Sequence, residues 1–407
     1  VLPPESDRWQ ALVAQFAATA TRAGYGLIQS PMFEEIGVFA RVGEGTDLVR
    51  KEMYDFIDKG DRHLALRPEG TASVVRAFIQ HAQGEPKPWK VWYAAPSFRY
   101  ERPQSGRYRQ HHQLGVEALG SDDPDLDVEV IVLLHDFYAS LGLRQISLAI
   151  NSMGTSADRT AYIETVRSWL NDKRAELDPR DVERIDDHPM RVLDSKHEQT
   201  IAAIADIPRS TDLLSPAAAE RFERVQDGLR AAGVDFRIEP RLVRGLDYYT
   251  HTTFEFISLA MDAAQSTIGG GGRYDGLAES LGGPATPGIG FGSGIERVLL
   301  ACDAESVFTV EKSTQLVFVV DTTNGAQARD LTTELRRAGI AAERAFDGRS
   351  MKSQMKSADR SGARFVVIIG EDELASNTVM VRDLRDGSAQ QSVSRSELIE
   401  NLRTRFN

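Results

Sequence analysis

The sequence predicts an α+β protein in which a long region of mixed short strands and helices is interrupted by a helical insertion and followed by a small α/β domain. Three observations predict it. The 407 residues can hold two or three separate cores. Strand and helix patterns mix over 64–150 and return from Val234, whereas 155–233 is helical and charged with almost no strand signal. After a polar connector at 303–315, a compact β-α-β-α-β pattern begins.

The elements follow in chain order. Trp9, Leu12, Val13, Phe16 and Ala20 recur at helical spacing, and Gly24 ends that helix. "YGLIQSPMF" reads as a strand broken by Pro31, which places it at an edge or interface because proline donates nothing to a ladder. Two helices stand within 64–150: "TASVVRAFIQHA" from Thr71 and "DLDVEVIVLLHDFYASLG" up to Gly142. The insertion holds "RTAYIETVRSWLNDKRAEL", "SKHEQTIAAIA" and "SPAAAERFERVQDGLRAAG". In "RGLDYYTHTTFEF", 244–256, alternation turns Thr250, Thr252, Phe254 and Phe256 one way and Tyr249, His251, Thr253 and Glu255 the other.

A glycine-dense region at 269–294 then precedes the helix "GIERVLLACD". Its "GGGGRYDG" and "GIGFGSG" fit neither a P-loop nor a dinucleotide fingerprint, leaving tight packing or close backbone approach to a ligand. The last domain reads "LVFVV", "AQARDLTTELRRAG", "IAAER", "MKSQMKSADRSG", "RFVVIIG", two further strands "NTVMVRDL" and "AQQSVS", and a final helix, about 95 residues in all.

Composition narrows the class. With 41% hydrophobic and 27% charged residues the chain has an ordinary soluble composition, and its apolar runs are too short to span a bilayer. It opens "VLPPESDRWQ", with neither an initiator Met nor an apolar signal core, so an upstream piece is expected to have been removed or left out. Cys302 alone excludes an internal disulfide; it reads as a half-buried apolar residue and points to a reducing cytoplasm. Net charge −12 argues against generalised nucleic-acid affinity but leaves room for a local basic surface.

The most informative stretch is "FRYERPQSGRYRQHHQLGVEALG", 98–120. Two strands flank a loop carrying Pro103, Gly106 and several arginines. Arg99 and Glu101 share a face of the incoming strand; His111, Gln113, Gly115 and Glu117 share one on the returning strand. Such a hairpin is a poor apolar core and a good polar pocket, with Gly115 leaving space.

Three other stretches coincide with it: "LRPEGTA" at 66–72, "RGLDYYT" at 244–250 and "GIGFGSGIERV" at 288–298. Together they resemble the histidyl-tRNA synthetases, a family of class II aminoacyl-tRNA synthetases, from residue 1 to about 400. "FRYERPQ" with Gly106 and Arg107 resembles the second class II motif, "GIGFGSGIERV" the third, and the region around Pro31 the dimer-forming first. The resemblance implies a catalytic domain over 1–154 and 234–305 built on an antiparallel sheet, a helical insertion at 155–233, and an α/β anticodon-binding domain at 314–407. It implies a ligase that activates L-histidine with ATP, accompanied by Mg2+, to histidyl-adenylate and pyrophosphate. Histidine then passes to the terminal adenosine of tRNA(His). A cytoplasmic homodimer without a membrane segment is expected, with no metal held by protein side chains alone.

The same resemblance distributes roles. Arg99 and Arg244 are the catalytic arginines on the α-phosphate, Arg244 filling a place that a metal takes in related synthetases and also touching the substrate. A guanidinium suits this because it stays charged and forks onto two oxygens. Arg107 and Arg297 hold the β/γ end of ATP, and Glu101 accepts from the adenine amino group. Neutral imidazole offers one N–H and one lone pair, which Glu117 and Tyr249, with Tyr248 adjacent, can read. Glu69, Thr71 and Gln113 take the substrate ammonium group. Specificity through buried hydrogen bonds makes an editing domain unnecessary, and no segment is left over for one.

One departure stands at His111, where the adenine-stacking residue of bacterial relatives is commonly Phe. Imidazole stacks with less area and can titrate, so ATP affinity is expected to depend on pH. Neighbouring His112 has no metal-ligand spacing around it.

Between Glu343 and Arg364 six basic residues face three acids, and Lys352 and Lys356 fall on one helix face. Arg349, Lys352 and Lys356 are the candidate tRNA contacts. Two rivals share the synthetase-like fold: the regulatory subunit of ATP phosphoribosyltransferase, which lacks the C-terminal domain and erodes the histidine signatures, and a binding module of stress-sensing kinases. Histidine-driven ATP–pyrophosphate exchange separates the enzyme from both.

Overall fold

The computed structural model describes residues 1–41, 48–102, 106–193, 195–242, 248–262, 266–310, 316–386 and 389–406. The chain divides into two compact units, Val1–Thr309 and Val310–Asn407.

The strands of the first unit are β1 (Gly26–Leu27), β2 (Phe33–Glu35), β3 (Tyr54–Ile57), β4 (His63–Leu66), β5 (Trp89–Phe98), β6 (Gln110–Leu119), β7 (Ile146–Ser152), β8 (Phe236–Ile238), β9 (Thr250–Ser258), β10 (Thr267–Arg273) and β11 (Gly288–Gly294). An eight-stranded sheet runs β1-β5-β6-β11-β10-β9-β7-β8, and β2-β4-β3 form a separate three-stranded sheet. From β5 to β7 every neighbour is antiparallel; β1 and β8 add in parallel at the two edges. The stretch read as one strand around Pro31 is therefore two, β1 at the edge of one sheet and β2 at the edge of the other, with the proline between them.

Period-2 alternation decides what the large sheet shows on each face. Leu114, Val116 and Ala118 of β6 and Phe254 and Phe256 of β9 enter one core. There they meet Leu12 and Phe16 of helix Glu5–Arg22, Phe137 of helix Pro124–Ser140 and Val298 of helix Ile295–Glu305. Each such side chain contributes about 1.5–3 kcal/mol of burial, so a one-residue slip of β6 would lose the core and the site together. Asp123 starts the second of these helices, its carboxylate accepting from the Asp125 N–H ahead of Pro124 in the first turn.

Between β7 and β8 the chain is helical: Ser156–Asp172, Pro179–Val182, Pro189–Val192, Glu198–Ala203 and Pro216–Ala231. Tyr162, Val166, Leu170, Ile185, Val192 and Ile204 give this segment its own small core. Asp158 ties its entry to its exit, capping the first helix with Thr155 and accepting from the Ser215 hydroxyl at 3.0 Å. Phe222, Val225 and Leu229 of Pro216–Ala231 pack into the core of the large sheet.

The second unit adds β12 (Val317–Asp321), β13 (Ala342–Arg344), β14 (Phe365–Ile369), β15 (Thr378–Asp383) and β16 (Gln391–Ser394), in the order β13-β12-β14-β15-β16. The first three are mutually parallel and the last two antiparallel. Val317 and Val319 face Leu331 and Leu335 of helix Ala326–Arg337 and Leu398 of helix Leu398–Phe406. Phe318 and Val320 face Ala358 of helix Met351–Ser361. Burial on both faces explains why "LVFVV" and "FVVII" are apolar without alternation.

Candidate active site

The site lies on the sheet face opposite the main core, where the side chains at 113 and 117 of β6 point. Glu117 is completely buried. Three hydroxyls donate to it: Thr71 at 2.7 Å and Tyr93 at 3.3 Å to Oε1, and Tyr274 at 2.5 Å to Oε2. Burial, reinforced by the nearby Glu69 charge, pushes its carboxyl up to about 8 against the pull of those hydroxyls. Glycines make the room. A Cβ at Gly290, opposite Glu117 in register, would lie 2.6 Å from the Glu117 Cδ and closer still to Oε2. A Cβ at Gly115 would lie 2.7 Å from the Phe291 carbonyl and inside the Tyr93 ring. The space at Gly115 thus belongs to Tyr93, its register partner, and not to a ligand.

Glu69 sits at the start of helix Thr71–Ala77, its two carboxylate oxygens accepting from the Thr71 N–H at 2.7 Å and the Ala72 N–H at 2.8 Å. Burial raises its pKa against those bonds and the Arg99 charge. Each oxygen keeps a further lone pair, so the carboxylate can still take an ammonium. Thr71 donates to Glu117 and can accept in the same way. Tyr248 and Tyr249 are in tilted ring contact with centroids 4.6 Å apart, and Tyr248 meets Tyr274 edge-on at 5.8 Å.

The same face of β6 borders, at Gln113, a cavity of about 850 Å³ whose lining also includes Tyr249, Arg99, Arg107, His111 and Arg297. Arg99 donates to the Pro68 carbonyl at 3.0 Å, and the backbone at 99 prolongs the hairpin by bonding Arg109 O at 2.8 Å. Arg297 donates to Gly106 O at 3.1 Å and Thr267 O at 2.9 Å, which aims its guanidinium along the hairpin loop. Burial and the neighbouring Arg107 charge lower its pKa, the signature of cations gathered faster than anions. Glu101 lies between Arg107, at 3.3 Å, and Arg99, at 3.9 Å. Three guanidiniums therefore converge here around one carboxylate, an arrangement suited to a polyphosphate.

His111 also lines the cavity, yet burial and the charges of Arg99 and Arg297 hold its imidazole down at about 3. In the unliganded site His111 is therefore neutral near physiological pH. His112 has a structural part. Its backbone N–H and its Nδ1 each lie 3.0 Å from Glu296 Oε1, and its ring meets Trp9 edge-on at 4.9 Å. Among the described residues no group of three or more His, Cys, Asp or Glu side chains could hold a metal ion. Arg244 lies outside the described residues, as does Pro103.

Arg349, Lys352 and Lys356 belong to the second unit, where all three are exposed; Arg349 lies 3.8 Å from Asp347. Sequence reasoning missed Tyr93 and Tyr274, which reach Glu117 only through cross-strand contacts. It also missed Arg184, Arg191, Lys196, Arg237 and Arg241, which line the cavity from the insertion and the strand after it. Their charge resembles any solvated helix face.

An antiparallel sheet with parallel edges, a polar β5–β6 hairpin and arginines from the loop before β6 and the helix after β11 is the arrangement that the resemblance to class II aminoacyl-tRNA synthetases implies. A profile described as "Histidyl-tRNA synthetase" matches residues 1–298, and one described as "Anticodon binding domain" matches 313–405. Proteins named histidine–tRNA ligase are similar along nearly the whole chain. The one from Synechococcus sp. (strain WH7803) is 47% identical over 402 residues, 96% of this chain and 91% of the relative. The one from Desulforamulus reducens is 45% identical, covering 100% of this chain and 97% of its own. The crystal structure of apo S. aureus histidyl-tRNA synthetase matches with a TM-score of 0.83 at 38% identity, over 99% of this chain and 97% of that one. The chain belongs to the histidyl-tRNA synthetase family.

Proposed function

We propose that the protein is a histidine–tRNA ligase, activating L-histidine with ATP and transferring it to the terminal adenosine of tRNA(His). The observation that carries this reading is that Arg99, Arg107, Gln113, Tyr249 and Arg297 line one cavity, while Glu117, on the same face of β6 as Gln113, is buried under three hydroxyls. Glu117 and Tyr249 read the imidazole; Glu69, Thr71 and Gln113 take the ammonium group and so orient the substrate carboxylate. As that carboxylate attacks the α-phosphate, negative charge accumulates on phosphorus, and Arg99 and Arg244 neutralise it. Arg107 and Arg297 take the β/γ-phosphates. Glu101 leaves its arginines for the adenine amino group, and the neutral ring of His111 stacks on the base. Mg2+ would accompany ATP and offset part of the charge on its phosphates.

The same reading divides the chain into a catalytic domain at 1–154 and 234–305, an insertion at 155–233 and an anticodon-binding domain at 314–407, working in the cytoplasm as a homodimer. The three-stranded sheet and its surroundings support the dimer: Leu27, Met32, Phe33, Phe56 and Ile57 are large, apolar and exposed, and Phe33 and Phe56 are in ring contact. Among the described residues no helix is long and apolar enough to cross a membrane. The test is histidine-dependent ATP–pyrophosphate exchange followed by charging of tRNA(His). Exchange driven equally by another amino acid overturns the choice of histidine, and no exchange at all overturns the ligase reading and restores the regulatory-subunit alternative.

A further inference from the structure

The described aromatic side chains of the second unit divide sharply. Phe318 and Phe365 are buried, and Phe406 packs on Phe365 with centroids 5.1 Å apart. Phe346 is 60% exposed. An isolated exposed ring needs no explanation, but this one is built into its position. It follows β13 directly, and the Arg344 guanidinium lies over it, 4.3 Å from the ring centroid. After it the chain turns through two residues with positive φ, Asp347 at 67° and Gly348 at 55°. Aspartate and glycine are the residue types that tolerate that region.

The turn is then clamped from behind. Gln354, buried on helix Met351–Ser361, donates to the Arg349 carbonyl at 2.8 Å and to the Asp321 carbonyl at 2.7 Å, and accepts from the Asp321 N–H at 3.1 Å. One side chain thus fixes the loop to the end of β12. A flat apolar ring is held in water on a pre-ordered loop, with a cation against one face. Arg349, Lys352 and Lys356 stand exposed on the following turn and helix.

We propose that Phe346, backed by Arg344, is the stacking platform for one unpaired base of the tRNA anticodon loop, with Arg349, Lys352 and Lys356 on the adjoining phosphates. The proposal rests on the tRNA-ligase reading above and names a residue for it. Single-stranded RNA is the occupant that uses both parts of the surface. Bases supply π-faces for an aromatic ring, their phosphates answer the cations, and a ring already ordered loses little freedom on binding. A protein partner would call for a broader apolar patch than one ring and the half-exposed Met351 beside it in sequence.

The test uses the full chain and an anticodon stem-loop RNA of tRNA(His) carrying 2-aminopurine at single loop positions. Wild-type protein should quench the fluorophore at one position. Phe346→Ala should abolish that quench and weaken stem-loop binding roughly 5- to 150-fold, whereas Phe346→Trp should restore both. Full-length tRNA charging by Phe346→Ala should lose a similar factor, chiefly in KM, with histidine-dependent exchange unchanged. Wild-type quench and affinity in Phe346→Ala overturn the platform, as does a wild-type protein that binds no stem-loop. Stem-loop binding with the expected quench but no charging by the wild type would sink the ligase reading and leave the platform standing.

Discussion

Gly290→Ala puts the architecture of the site to a test with one added carbon. The new Cβ would lie 2.6 Å from the Glu117 Cδ, where an ordinary carbon–carbon contact needs about 3.5 Å or more. Something must therefore move by about 1 Å. If the carboxyl group moves away, its bond from Tyr274, now 2.5 Å from Oε2, is stretched to the edge of hydrogen-bond range; leaving a buried polar group unsatisfied costs about 1–3 kcal/mol. If the strands part instead, β6 and β11 separate at the pair Glu117 and Gly290, with an overpacking cost of about 1–3 kcal/mol. Either way the imidazole reader is misplaced by about 1 Å, which lowers kcat/KM on the order of 100-fold. The assay is histidine-dependent ATP–pyrophosphate exchange across histidine concentrations, with ATP affinity measured separately without histidine. The expected result is a loss of about two orders of magnitude for histidine with ATP binding kept. Gly26→Ala in edge strand β1, where a Cβ meets nothing within 4 Å, is the control and should behave as wild type. A Gly290→Ala protein with normal exchange kinetics and normal melting temperature would refute the packing argument.

Three other perturbations follow from the same site. Arg244→Lys should keep histidine binding and lower adenylation by about 100-fold or more, since one preorganised donor is worth about 2.7–4 kcal/mol in the transition state; near-normal exchange would remove that arginine from the α-phosphate. Glu117 holds its proton up to about 8 in the folded protein, well above the ordinary carboxyl value, so its contribution to stability is complete at low pH and is lost as pH rises through about 8. Between pH 5.5 and 8.5 this amounts to roughly 3 kcal/mol, and Glu117→Gln should flatten that decline in melting experiments; parallel declines in both proteins would contradict it. His111, held at about 3, stays neutral from pH 6 to 8, so His111→Phe should leave the pH dependence of KM for ATP unchanged, and an inflection removed by the substitution would count against this.

Much of this protein was legible in its sequence because the signals are local. Alternation along β6 separates Leu114, Val116 and Ala118 from Gln113 and Glu117, and the structure sends the first group into the core and the second toward the site. The helical character of 155–233 and the apolar runs of the last domain are equally local, since helix and buried-strand patterns repeat within a few residues. Motif spacing placed Arg99, Arg107, Gln113, Tyr249 and Arg297 in one reading, and all five line one cavity. Arg244, which that reading places with them, lies outside the described residues.

What only the tertiary structure decided depends on contacts between residues far apart in the chain. Tyr93 and Tyr274 reach Glu117 across 24 and 157 residues, and no period in the sequence links them. Gly115 looked like space for a ligand because the ring that fills it comes from the neighbouring strand. His111 looked titratable because burial and the charges of Arg99 and Arg297 exist only once the chain has folded. Sequence period records which face a residue takes. The proton it holds and the room beside it are set by desolvation and by neighbours that only folding supplies.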